Sequence, residues 1–339
     1  MKIGNLLTTA MAVMPHRDVD RALSAALSLD VPFWPQLPLL SYYEDMYVQA
    51  SERFPGIVLD MEKRTIRFSI ERFGIELEEA LSHFEEPEYF DVSETYSAVY
   101  RRFLELNLSD RPAIRGQLEG PISFGLNVLD QDRRPILFND TVRSFMLDFL
   151  ARRINAQLNR LRALNPRAFM FVDEPGLQYI FSGLSGYDAV SARRDMEYFF
   201  AEVERPRGVH LCGNPDWDFL LGLDLDILSL DVYSNGEIFV SYADRIRHFL
   251  ERGGRLVWGM VPTNVEPFEK ESIQSLEALL LGCWQRLESK GIDLGLLLSR
   301  SMLSPATCCL INPDGISTVE KAFAAVKLLS KMLRERFGL

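Results

Sequence analysis

The chain is poor in the residues that would let several functions be proposed at once. Four cysteines in 339 residues are too few for a disulfide framework, and thiols so sparse are left to packing or to metal chemistry. Histidine is equally scarce, with four copies. A basic excess is missing. The net charge is −11, and Lys and Arg fall on helical faces such as Arg152-Arg153 and Arg334-Glu335-Arg336 instead of forming a phosphate-binding patch, so nucleic acid is not expected as a partner. No run of eighteen apolar residues suggests a membrane span, and the opening Met1-Lys2-Ile3-Gly4-Asn5-Leu6 lacks the apolar core and cleavage site of a secretory leader. A cytoplasmic, reducing address is the expectation. What is plentiful is apolar content, 47%, enough for a substantial core.

Short β-forming runs recur with helical stretches between them. They are Leu6–Ala10, Val31–Pro35, Ala113–Leu118, Phe169–Asp173, Gly208–Cys212, Ile227–Asp231, Leu256–Val261 and Met302–Pro305. Three- and four-residue apolar spacing predicts helices over 138–163, 188–204, 237–252, 270–290 and 315–336. Eight β/α units point to an α/β fold of the (β/α)8 TIM-barrel type, in one catalytic domain over 1–339. An insertion of about 43–106 follows the second strand. It carries a hairpin-like pair (Ile57–Asp60, Thr65–Phe68) and two helices, and is expected to cap one barrel end.

His210-Leu211-Cys212 places two of the scarce residues on one face of a strand, because side chains alternate. Chance would produce a His-x-Cys in such a chain roughly 0.05 times. Downstream, Asp231 ends the next strand and Cys308-Cys309 follows Ser304-Pro305. One His, two Cys and a carboxylate make a zinc-type donor set, open to a substrate thiol where one ligand is displaceable. Coordination would hold a small thiol as thiolate and aim it at an electrophilic carbon such as a methyl group. Only one of Cys308 and Cys309 can readily face such a metal, while Cys283 lies in a helical apolar pattern and reads as core.

Asp173-Glu174-Pro175 puts two carboxylates at another strand end, where they could act catalytically, bind a substrate ammonium or cap a helix. Gln117, within Gly116-Gln117-Leu118-Glu119-Gly120-Pro121, and Thr9 are further substrate-binding candidates. Turn geometry alone would account for the glycines of that stretch.

Together, His210-Leu211-Cys212-Gly213, Leu228–Asp231, Trp258–Thr263, Ser304–Leu310 and Asp173-Glu174-Pro175 resemble the catalytic barrel of cobalamin-independent methionine synthase and the related thiol methyltransferases of the uroporphyrinogen-decarboxylase-like superfamily. The resemblance implies zinc held by His210, Cys212 and the late cysteine, with Asp231 at the place of the fourth, carboxylate ligand. The late cysteine of the family precedes Gly-Leu, which selects Cys308 and puts Cys309 in the glycine's place. Asp173 matches the carboxylate that receives the homocysteine amino group. The departures concern the donor. The chain corresponds to the catalytic half of a double-barrel enzyme, Val261 replaces the family's proton-donating histidine, and Thr8-Thr9-Ala10 replaces its serine-bearing turn. A methylcorrinoid on a partner protein needs no such acid and is the expected donor, in place of methyltetrahydrofolate. Two alternatives are a decarboxylase-like barrel, for which Arg115 is the lone candidate at a strand end, and a metal-free barrel acting as a binding or docking subunit.

Overall fold

A computed structural model describes residues 3–183 and 185–339; Met1 and Lys2 of the opening stretch lie outside the described residues. The strands are β1 (Leu7–Thr8), β2 (Ile57–Asp60), β3 (Thr65–Phe68), β4 (Arg115–Glu119), β5 (Phe169–Asp173), β6 (Arg207–Leu211), β7 (Ile227–Asp231), β8 (Arg255–Val261) and β9 (Ser301–Pro305). Seven of them form one parallel sheet in the order β1-β9-β8-β7-β6-β5-β4. Among the described residues the protein is thus an α/β fold whose main sheet has seven regular strands where a barrel of eight was expected.

The missing strand is Val31–Pro35. Proline has no N–H to donate to a ladder, and this run carries Pro32 and Pro35. The segment nevertheless runs between the two edges of the sheet. Val31 N donates to Thr8 O (2.9 Å), Arg115 N donates to Pro32 O (3.0 Å), and Phe33 makes an isolated bridge with Arg115. Side chains supply what the backbone cannot. Arg115, 1% exposed, lies over the rings of Phe33 (4.6 Å) and Phe171 (4.9 Å). It donates to Thr9 Oγ1 (3.1 Å), to Gln117 Oε1 (3.0 Å) and to the Ala10 carbonyl. Gln117 and Thr9 complete the stitch by donating to Trp34 O and Val31 O, each at 3.0 Å.

Alternation along the strands sorts the core. Val31, Ala113, Phe169, Phe171, Ile227, Val257 and Met302 pack on one another inside the curved sheet, while a larger apolar set lies between the sheet and the surrounding helices. Extending the inner parity toward the carboxyl ends reaches Glu119, Asp173, Ser229 and Asp231. The expected hairpin forms as β2–β3, antiparallel, with register Ile57↔Phe68 to Asp60↔Thr65. The helical expectations hold at 140–164, 189–202 and 317–337. The run 237–252 instead splits into Val232–Phe239 and Ala243–Glu251, because Asp231 caps a helix that begins directly at the strand end. The run 270–290 holds as one helix, Ile273–Ser289, which Ser272 starts with a capping box. No helix among the described residues is long and apolar enough to cross a membrane.

Candidate functional site

Beyond the apolar inner layer, the carboxyl ends of β4 to β9 bring titratable groups together. His210 is 4% exposed, and its ring is fixed at both nitrogens, with Nδ1 3.0 Å from Ser229 Oγ and Nε2 2.8 Å from Cys212 Sγ. The parallel register sets Ser229 beside His210. Burial, reinforced by the Arg115 charge, pushes the imidazole down to about 3, so it is neutral at physiological pH. Ser229 escaped the sequence reading; its signal is the ladder partner of a histidine on the next strand.

The Cys308 thiol is the other group that perturbs Cys212. The neighbouring Cys308 thiol raises Cys212, with burial adding to the effect, and Cys212 in turn lowers Cys308. Cys308 stands in an exposed turn with its sulfur directed inward. Cys309 instead turns away to Asn264 Oδ1 (3.1 Å) and Ile311 O (3.4 Å), and Cys283 is buried in the helical core. The structure therefore sets His210 against Cys212, with Cys308 as that thiol's other neighbour. Among the described residues no group of three or more His, Cys, Asp and Glu is placed so that it could hold a metal ion as it stands.

Asp231 does not join them. Its Oδ1 accepts from Ser234 N (3.0 Å) and caps the helix Val232–Phe239, the use an aspartate acquires when a helix starts at the next residue. Val261 is fully buried among apolar neighbours.

The two acids at the end of β5 separate by parity. Asp173 continues the inward row of Phe169 and Phe171, where burial pushes its carboxyl up to about 8 against the opposing pull of Arg115, with Cys308 and Glu174 adding to the rise. Glu174 turns to the opposite side. Its carboxylate accepts from Ile122 N (2.9 Å), Ser123 N (2.8 Å) and Ser123 Oγ (2.6 Å), tying β5 to the helix Pro121–Asn127. Those bonds oppose a burial effect that still carries it to about 7. Glu174 thus holds a helix terminus and does not face the thiols. Gly120 permits this: its φ is −82°, open to any residue, but a Cβ there would stand 2.2 Å from Glu174 Oε1. Close approach, and not turn geometry, requires that glycine.

The substrate-binding candidates Thr9 and Gln117 lie deeper, with their hydrogen bonds committed to Arg115 and to the carbonyls of Val31 and Trp34. Each guanidinium nitrogen of Arg115 donates within the sheet, to Thr9 Oγ1, Gln117 Oε1 and the Ala10 carbonyl. A second residue missed by the sequence reading is Glu119, the last of the inner row on β4, which is 3% exposed. Burial holds its carboxyl well above the usual range, with Asp173 and Glu174 adding to the effect and the Tyr47 hydroxyl opposing it. Tyr47 comes from the insertion, whose helix Met46–Ala50 reaches the sheet's carboxyl end.

Tyr47 also lines a cleft of about 600 Å³, together with Ser123, Leu126, Pro175, Gly176 and Tyr179. The turn after β5 stands between this cleft and the thiols. Glu174 N donates to His210 O (2.9 Å), and Gln178 packs so tightly on Gly213 that a Cβ there would lie 2.4 Å from its amide oxygen. A hollow of about 560 Å³ within the insertion, around Arg53 and Glu76, is lined by none of the candidate ligands.

No protein-family model matches the sequence, and no curated protein matches it. Among solved structures, the chain is similar to a provisionally assigned vitamin-B12-independent methionine synthase from Listeria monocytogenes. The TM-score is 0.43 at 15% identity, over 74% of this chain and 69% of that one.

Proposed function

We propose that this protein is a methyltransferase that activates a small thiol, of the homocysteine kind, on a zinc ion held by His210, Cys212 and Cys308. The observation that carries the reading is Cys212 Sγ, 2.8 Å from the Nε2 of an oriented imidazole, with the Cys308 thiol as its other perturbing neighbour. One nitrogen and two sulfurs are the donor types zinc prefers, and the His210 ring is already neutral with its other nitrogen anchored on Ser229. The fit lies in donor type. Zinc supplies charge stabilisation to thiolates at neutral pH. The chain's own residues do the rest. Ser229 fixes the imidazole, Cys309 and Asp231 stay engaged elsewhere, and Asp173 offers a carboxyl to the substrate's polar end. A substrate thiol would join the donors that the chain supplies.

The proposed methyl donor is a methylcorrinoid carried by a partner protein, in keeping with buried, apolar Val261 at the place of the acid that a folate donor would need. The decarboxylase reading loses its arginine, since Arg115 is committed inside the sheet.

The test is elemental analysis of untagged protein purified without chelator, comparing wild type with Cys308→Ala. About one zinc per chain, lost in the variant, is expected. No zinc in wild type even after supplementation would sink the proposal and leave a metal-free binding or docking subunit.

A further inference from the structure

The cleft beside the β5 turn is unlike the rest of this charged molecule. Its volume of about 600 Å³ is that of a small-molecule site. It forms at the carboxyl end of the sheet, where the insertion, through Tyr47, meets the helix Pro121–Asn127 that follows β4 and the turn that follows β5. Loops at the carboxyl ends of parallel strands are where such folds place ligands. A quarter of the chain is charged, so about two charged residues would be expected among the nine around the cleft. No described residue lining it carries a charge. They are two tyrosines, two prolines, two serines, a leucine, an asparagine and a glycine.

The polar groups among them divide into spent and free. The Ser123 hydroxyl donates to Glu174 Oε2 (2.6 Å) and accepts from Gly176 N (2.8 Å), and the Ser185 hydroxyl is engaged with the backbone of Tyr187. Asn127 and Tyr179 are exposed, the latter by 48%, and their side chains have no hydrogen-bond partner among the described residues. The Asn127 carboxamide offers a donor and an acceptor side by side, and Tyr179 offers a ring face. Walls of tyrosine and proline suit a flat ring. The carboxamide suits a ring substituent or edge that itself carries an adjacent donor and acceptor. An ionic headgroup is disfavoured, because it would lose hydration without gaining a counter-charge.

We propose that this cleft is a binding site for a planar, uncharged aromatic ring with an amide-type edge, of the aromatic carboxamide or lactam kind. Asn127 pairs with the edge, and Tyr179 covers the ring. The site is set apart from Cys212 by the turn after β5 and requires neither a metal nor an activated thiol.

The experiment uses the full-length protein, dialysed against chelator, with indole-3-carboxamide as the probe and indole-3-carboxylate as its charged counterpart, titrated by saturation-transfer difference NMR. The carboxamide is expected to bind with a Kd on the order of 1 mM, and the carboxylate at least ~10-fold more weakly. Tyr179→Ala is expected to weaken the carboxamide ~3–10-fold by removing the ring face, whereas Tyr179→Phe keeps it. Asn127→Ala is expected to bring the carboxamide down to the affinity of unsubstituted indole. Both residues are exposed, so the variants are expected to keep the wild-type unfolding transition. A carboxylate that binds as tightly as the carboxamide, wild-type carboxamide affinity in either alanine variant, or no carboxamide binding up to ~10 mM would each overturn the site. None of these outcomes bears on zinc, whose presence elemental analysis decides separately.

Discussion

At the residue scale the decisive pair is His210 and Ser229. A buried imidazole whose Nδ1 is engaged presents Nε2 in one direction, and here that direction is Cys212. Ser229→Ala removes the anchor and leaves a buried ring nitrogen unpaired. The expected cost is about 1–3 kcal/mol of stability, read by urea denaturation. Zinc affinity should fall ~10–100-fold in competition with a chelator, the usual effect of losing the partner that orients a metal-binding histidine. Unchanged affinity would mean that the imidazole is not a ligand. The two adjacent cysteines make a matched control: Cys308→Ala is expected to abolish zinc binding, whereas Cys309→Ala, whose thiol turns to Asn264, is expected to retain it.

At the scale of elements, the carboxyl ends of the strands do two kinds of work, and the alternation of side chains decides which. Asp173 faces in and Glu174 faces the helix Pro121–Asn127, whose first N–H groups it receives. Gly120→Ala would drive a methyl group into the Glu174 carboxylate, at an expected cost of about 1–3 kcal/mol in denaturant unfolding. Glu174 also sets a pH dependence. Its carboxyl moves from the ordinary 4.5 to about 7 on folding, so the folded state binds the proton more tightly between those values. The stabilisation is complete below 4.5 and is lost as pH rises through about 7. Stability should therefore decline across that window, and Glu174→Gln should flatten the decline; an equal slope in the variant would assign it elsewhere. Asp231 belongs to the same scale. As a helix cap it is replaceable by Asn within about 0.5 kcal/mol, while Ala costs about 1 kcal/mol, and zinc content is expected to be unaffected by Asn. Loss of zinc in Asp231→Asn would restore it as a ligand.

For the whole molecule, the sheet brings into contact groups that are far apart in sequence, and a bound ion would add its binding energy to the folded state alone. At zinc concentrations ~1,000 times Kd the gain is about 4 kcal/mol. Thermal unfolding of wild type should therefore shift upward with added zinc, and that of Cys212→Ser should not. The gap at Val31–Pro35 is a second property of the whole. The edges β1 and β4 meet there through single backbone bonds and the Arg115–Thr9–Gln117 network, in place of a continuous ladder. Replacing Arg115 by Met would leave Thr9 and Gln117 without their shared partner.

Local chemistry was enough to fix much of this. Short β-forming apolar runs located seven strands, and the His-x-Cys spacing put two donors on one face. Other properties needed the third dimension, because they depend on which neighbour arrives first at a polar atom. Pro32 and Pro35 replaced an eighth strand with side-chain stitching, and this drew Thr9, Gln117 and Arg115 out of reach of a ligand. The helix that begins at Val232 claimed Asp231, and the one that begins at Pro121 claimed Glu174. Glu119 became visible only when the insertion's Tyr47, seventy-two positions earlier, was seen against it. Spacing along the chain determines which face a side chain takes; only the packed structure decides whether its hydrogen-bonding capacity is already used.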